Sequence, residues 1–239
     1  MPIDRRNDFP KLDVLVVAAH PDDAEISVGG TIAAAIREGL AVGVVDLTTG
    51  EPTPRGNLQT RARETAAASA ALGLEHRWNL GLPNRRLFAT EPARRDLANV
   101  IRLTRPELLL GPRPVDVHPD HCAASELVVG ARFWGKLSRT DLEGERHWTP
   151  RSLQYWSIHL RETERPSVVV DISDTLEAKL AAVRSYGSQM PRPDAAFPSV
   201  VDDLEARARY WGWSIHAAYG EPLSDRETIA VRSVASLIG

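Results

Sequence analysis

Short apolar runs rich in β-branched residues alternate with longer, helically spaced stretches through the first half of the chain, the pattern of crossover units around a parallel sheet. Residues 14–19, Val-Leu-Val-Val-Ala-Ala, scarcely alternate between apolar and polar, which predicts a first strand covered on both faces. Gly29-Gly30-Thr31 leads into an Ala- and Ile-rich helix ending near Gly39, and residues 41–47 predict the second strand. Turn formers crowd residues 48–56, and an Ala-rich helix over 60–72 stops at Gly73. Strands at 76–80 and 108–110 flank a helix over 92–103, and 122–132 reads as helical. Further along, 153–158 and 167–171 predict strands, while Asp174-Thr175-Leu176-Glu177 has the spacing of a capping box opening a helix to about Ser185. A Pro-rich stretch over 190–198 precedes a last helix over 203–216. The fold expected is α/β and Rossmann-like, a mostly parallel sheet flanked by helices, in a single domain over 1–239.

Two of these strands end on ionisable clusters. The first runs straight into His20-Pro21-Asp22-Asp23, and the run at 108–110 leads through Gly111-Pro112-Arg113-Pro114 towards His118-Pro119-Asp120-His121. In an open α/β sheet, ligands bind outside the carboxyl ends of the strands, so the two clusters are expected to meet. Taken singly, each also fits a helix N-cap or a surface turn. Together they supply the three ligands of a catalytic Zn2+ site as His20, Asp23 and His121, with Fe2+ as the alternative that shares these donors. The i, i+3 spacing of His20 and Asp23 turns both towards one point if Pro21 starts a turn of helix. Asp22 is then aimed differently and free to act as a general base. His118, if protonated, would stabilise an oxyanion or protonate a leaving nitrogen, with Asp120 orienting it and raising its pKa. This is the equipment of amide hydrolysis. A dinucleotide site is excluded because the turn after the first strand has carboxylates where phosphate-cradling glycines are needed.

Composition narrows the ligand class. With 29 basic and 32 acidic residues, a net charge of -3 and no long run of either sign, bulk charge gives no reason to expect nucleic acid or a membrane surface as partner. The single cysteine, Cys122, cannot form an internal disulfide, and the polar N-terminus lacks the apolar core of a signal peptide. A cytoplasmic protein acting on a small molecule is expected.

The motifs resemble those of the LmbE-like, or PIG-L, zinc-dependent deacetylases, which remove acetate from N-acetylglucosamine groups. The resemblance rests on Ala19-His20-Pro21-Asp22-Asp23 with Glu25 and Gly29-Gly30-Thr31, on Arg61-Ala62-Arg63-Glu64 with Gly73, on Leu80-Gly81-Leu82-Pro83, and on His118-Pro119-Asp120-His121. Val170-Asp171-Ile172-Ser173-Asp174, Tyr186-Gly187-Ser188-Gln189 and the segment 205–210 look like the bacillithiol-pathway branch, whose enzymes deacetylate N-acetylglucosaminyl-malate. The resemblance implies that His20, Asp23 and His121 hold zinc, that Asp22 is the base, that His118 and Asp120 form the charge-stabilising pair, and that Arg61 contacts substrate. It also implies an N-acetylated sugar conjugate as partner and a homo-oligomer of up to six copies. Two departures stand out: Val117 occupies a position where many relatives have arginine, which leaves Arg113 or Arg85 to supply a cation, and no tyrosine lies between Tyr186 and Tyr210.

Overall fold

The computed structural model describes residues 9–157, 164–190, 199–230 and 233. The chain runs β1 (Val14–Ala18), α1 (Asp23–Arg37), β2 (Val42–Thr48), α2 (Leu58–Leu72), β3 (His76–Leu82), α3 (Glu91–Thr104), β4 (Leu108–Pro112), α4 (Pro119–Gly135), β5 (Arg151–Tyr155), β6 (Val168–Asp171), α5 (Leu176–Arg184), α6 (Val200–Trp213) and β7 (Gly220–Asp225). The strands form one seven-stranded sheet in the order β3-β2-β1-β4-β5-β7-β6. The first five in that order pair in parallel, and β7 pairs antiparallel with both β5 and β6. This is the Rossmann-like, mostly parallel architecture expected from the sequence. Residue 158 of the expected strand and residues 191–198 of the Pro-rich stretch lie outside the described residues.

All five residues of β1 are buried, as its unbroken apolar run predicts. Leu15 and Val17 pack with Val45 and Leu47 against Leu97 and Ile101 of α3 and Leu127 of α4. Val14, Val16 and Ala18 pack with Val42 and Val44 against Ile32 of α1, Ala68 and Leu72 of α2 and Ala182 of α5. Helices thus cover both faces of the central strands and leave the strand ends open to a ligand. A third cluster, built from Ile172, Leu176, Leu180, Leu204 and Ala208, joins α5 to α6.

Three expectations need correction. β7 was not anticipated, because Gly-Glu-Pro-Leu-Ser-Asp carries two acids and a proline, residues that argue against an interior strand. Pro222 is accommodated opposite Val169 in the ladder to the edge strand β6. The spacing at 174–177 is not a capping box: Thr175 is the N-cap of α5 without a side-chain cap, and its hydroxyl donates to Gly30 O at 2.9 Å. The complete capping box is at Ser199 and Asp202, opening α6. Pro21 does not start a helical turn, because α1 begins at Asp23 with Asp22 as its N-cap.

Close packing of α6 on β7 depends on Gly212, where a Cβ would lie 2.5 Å from Tyr219 N and 2.6 Å from its Cα. Backbone atoms cannot yield as a flexible side chain can. Gly212→Ala is expected to cost about 1–3 kcal/mol, read as a lowered urea midpoint at unchanged slope. Among the described residues, no helix is long and apolar enough to cross a membrane.

Candidate active site

The site forms where β1 and β4 lie side by side, at the carboxyl ends of both. From β1 the chain crosses through α1 to β2 on one side, and from β4 it crosses through α4 to β5 on the other. The crevice between two such diverging connections is the ligand position of open α/β sheets. After β1 the backbone makes a tight turn: His20 N donates to Asp23 Oδ2 at 2.9 Å and Asp23 N to His20 O at 3.3 Å. Asp22 carries the turn with φ of 116°, a conformation that costs a side chain energy and that the surrounding contacts must hold. After β4, His118 is the N-cap of α4, with Pro119 in the first helical position and His121 one turn on.

His20, Asp23 and His121 converge with their donor atoms within 4.8 Å of one another. His20 Nδ1 lies 3.2 Å from Asp23 Oδ2, and His121 Nε2 lies 3.3 Å from Asp23 Oδ1. The second nitrogen of each ring meets a different carboxylate: His20 Nε2 reaches Asp120 at 3.1 Å, and His121 Nδ1 reaches Asp116 at 2.9 Å. A carboxylate behind each imidazole fixes its tautomer and leaves the opposite nitrogen as donor to a cation. Burial favours a protonated Asp23, but the His121 and His20 rings outweigh it and hold that carboxyl well below the usual range. His121 is pushed the other way: Asp23 and Asp116 overcome burial and raise it to about 10, so that an imidazolium sits among carboxylates where a cation would. Two imidazoles and a carboxylate so arranged suit a divalent transition metal. His20, His118 and Asp120 also approach within the same span. That group is the poorer cradle, because the Asp120 oxygens already accept from the backbone N–H of Arg85 at 2.7 Å and of Leu87 at 3.3 Å.

Asp22 is turned away from these donors and faces Arg61, whose Nη1 donates to Asp22 Oδ2 at 3.1 Å and also to Pro21 O. Arg61 Nε lies 3.3 Å from Glu51 Oε1, and the Arg61 side chain is 4% exposed. Burial and the neighbouring Asp23 charge push Asp22 up to about 7 against the pull of Arg61. A carboxyl near neutrality both takes and returns a proton.

His118 differs from expectation. Burial, then the charges on His20 and His121, lowers its pKa, and the Asp120 charge does not reverse the balance. The group that orients the ring is the backbone N–H of Asp120, which donates to Nδ1 at 3.2 Å, and the Asp120 carboxylate serves His20 instead. With Nδ1 accepting, a neutral His118 carries its proton on Nε2 and is a hydrogen-bond donor without being an imidazolium.

His20, Asp22, Asp23, Arg61 and His118 line a cavity of about 300 Å³, which Asn84, Arg85 and Gln189 supply with further polar groups and Ile26, Met190 and Val200 with apolar ones. His121 and Asp120 stand behind it, each 2% exposed. Of the two arginines considered for the missing cation, Arg85 lines the cavity. Arg113 instead pairs with Glu164 and stacks on Trp156 at 4.9 Å. Val117 is 64% exposed and not on the cavity wall. Asp116 and Glu51 were overlooked in the sequence. Asp116 stands two residues before His118 and could have been found as a further carboxylate of that cluster, whereas the pairing of Glu51 with Arg61 across loop and helix has no local signature. Asp116→Asn, which keeps the volume and removes the charge, is expected to weaken divalent-metal affinity about 10- to 100-fold, measured by competition with a chromogenic chelator.

A mostly parallel sheet with an imidazole and carboxylate cluster at its topological switch point defines an α/β protein with a potential metal site. Residues 15–132 match the family model described as PIG-L, GlcNAc-PI de-N-acetylase. The chain is 33% identical over 198 residues to the diacetylchitobiose deacetylase of Thermococcus kodakarensis, covering 77% of this chain and 72% of that one. It is 29% identical over 228 residues to a 1D-myo-inositol 2-acetamido-2-deoxy-alpha-D-glucopyranoside deacetylase of Mycobacterium sp. strain KMS, with 74% of each chain covered. Its fold superimposes on the crystal structure of a conserved protein from Thermus thermophilus with a TM-score of 0.85 and 39% identity, covering 92% of this chain and 97% of that one. The chain belongs to the PIG-L, or LmbE-like, family of deacetylases, hydrolases that cleave an amide.

Proposed function

We propose that this protein removes the acetyl group from an N-acetylglucosamine conjugate by divalent-metal-assisted hydrolysis, with zinc held by His20, Asp23 and His121. The observation that carries the proposal is that one cavity faces Asp22, Asp23, His20 and His118 together. A cation bound there lowers the pKa of water and polarises the amide carbonyl. Asp22 takes the proton of the attacking water and returns it to the leaving nitrogen, a task suited to a carboxyl pushed up to about 7. Arg61 fixes the Asp22 rotamer. His118 donates from Nε2 to the oxygen on which negative charge develops, its ring held by the Asp120 amide. Asn84, Arg85 and Gln189 suit sugar hydroxyls at the mouth.

N-acetylglucosaminyl-malate is the first substrate to test, on the resemblance of 170–174, 186–189 and 205–210 to the bacillithiol branch. The names of the relatives add an inositol conjugate and diacetylchitobiose. The family resemblance carries a homo-oligomer into the same reading, and the single cysteine a cytoplasmic location. Free-amine release from the three conjugates by zinc-loaded protein is expected, with loss on treatment with a chelator and recovery on adding Zn2+ or Fe2+. Release that survives complete metal removal would refute the role of the cation.

A further inference from the structure

α1 is two helices in one. Val28 leaves helical geometry at φ of -137° and ψ of 23°, so the turn carrying Asp23, Ile26 and Ser27 is set off from the helix behind it. Asp22, with φ of 116°, bounds the same turn at its other end. A break of this kind strips the following residues of their intrahelical partners, since the N–H groups of Gly30 and Thr31 would bond to Ile26 and Ser27 in a continuous helix.

Here a single side chain from the far end of the sequence takes both. Glu221 of β7 accepts from Gly30 N at 3.0 Å, from Thr31 N at 2.7 Å and from Thr31 Oγ1 at 2.6 Å. Its remaining charge is met by Lys179 of α5, and both side chains are buried, at 2% exposure for Glu221 and 4% for Lys179. On the carbonyl side, Thr175 Oγ1 donates to Gly30 O at 2.9 Å. The approach needs glycine, because a Cβ on Gly30 would lie 2.8 Å from three atoms of Ile172.

We infer that Glu221 is a positioning residue for the site: by capping the second helix of α1 it holds the break at Val28 and so fixes the turn that presents Asp22 and Asp23 to the cavity. The turn has its own anchors, Asp22 on Arg61 and Glu25 on Arg77 and Tyr186. Those bind its near side only. The break behind it has no other side-chain acceptor for Gly30 and Thr31 among the described residues. Without the Glu221 carboxylate, the two N–H groups recover partners by rewinding α1 into one helix, which turns Asp23 out of register with His20 and His121.

The test is the double variant Glu221→Gln with Lys179→Met, which removes the carboxylate without stranding a buried ammonium. We expect a folded protein whose zinc affinity falls about tenfold, the scale on which partners behind the ligands act. We also expect kcat to fall by a similar factor with KM within about twofold, the signature of misaligned chemistry rather than lost binding. Amide exchange provides the structural readout: Gly30 and Thr31 should change protection while the strand amides of β1 and β2 keep theirs. Unchanged zinc affinity, kcat and protection at Gly30 and Thr31 in the folded double variant would overturn the inference. Should that variant fail to fold, Glu221→Gln with Lys179→Gln keeps a polar pair of similar volume there while setting an amide NH2 group in place of one of the two oxygens that accept from Gly30 N and Thr31 N. Zinc affinity and kcat falling together support the inference, and neither moving refutes it.

Discussion

Asp22→Asn is expected to leave the chain folded and able to bind zinc while lowering kcat/KM by about 10²- to 10⁴-fold, the contribution of a positioned base. Asparagine is the right replacement because Asp22 sits at φ of 116°, a conformation asparagine tolerates better than other residues with a side chain. Its amide oxygen still accepts from Arg61 Nη1, so the contact that fixes the rotamer survives. What is lost is the ability to take a proton. Alanine would mix that loss with a released turn and an arginine freed from its partner. A steady-state comparison at matched metal occupancy decides the matter, and activity within about tenfold of the parent would remove Asp22 from the role of base.

Arg77→Met is expected to produce the largest loss of stability, about 3–5 kcal/mol, because it strands two buried carboxylates at once. Arg77 reaches across from β3 to meet Asp46 of β2 with two nitrogens, at 2.8 and 3.0 Å, and Glu25 of α1 with a third. The Glu25 and Asp46 side chains are 0% and 2% exposed. Burial already places the Asp46 pKa above its ordinary value despite the arginine, and removing the arginine raises it further. The folded variant then holds a proton that the unfolded chain has released, so its stability is retained at low pH and lost as pH rises through the folded value. The deficit against the parent should therefore be smaller at about pH 5 than at about pH 8, read from urea unfolding at both. An equal deficit at the two pH values would show that lost packing, not stranded charge, is the cause.

What the sequence could reveal was what is written locally. Residues of β1 advertise burial on both faces by their unbroken apolar run, and the two histidine clusters are legible because each follows such a run directly. Contacts that cross the chain were not legible. Glu221 meets Gly30 over 191 positions and Arg77 meets Glu25 over 52, so neither partner carries a mark of the other. β7 was hidden by Pro222 and two acids, tolerated because its place between β5 and β6 is set by tertiary packing. Asp120 is expected to orient His118 and raise its pKa because the two are near neighbours in sequence. Folding gives the Asp120 carboxylate to His20 and two backbone amides, leaving only the Asp120 N–H for His118.

That carboxylate ties the entrance of the cavity to its floor. The amide of Arg85 hangs from Oδ2, the oxygen that braces His20, and the amide of Leu87 from Oδ1, while Asn84 and Arg85 also line the cavity. The segment that carries Asn84 and Arg85 and the ring of His20 are thus held by one side chain. A substrate shortened at its remote end is expected to lose turnover as well as affinity, read as a lowered kcat beside a raised KM.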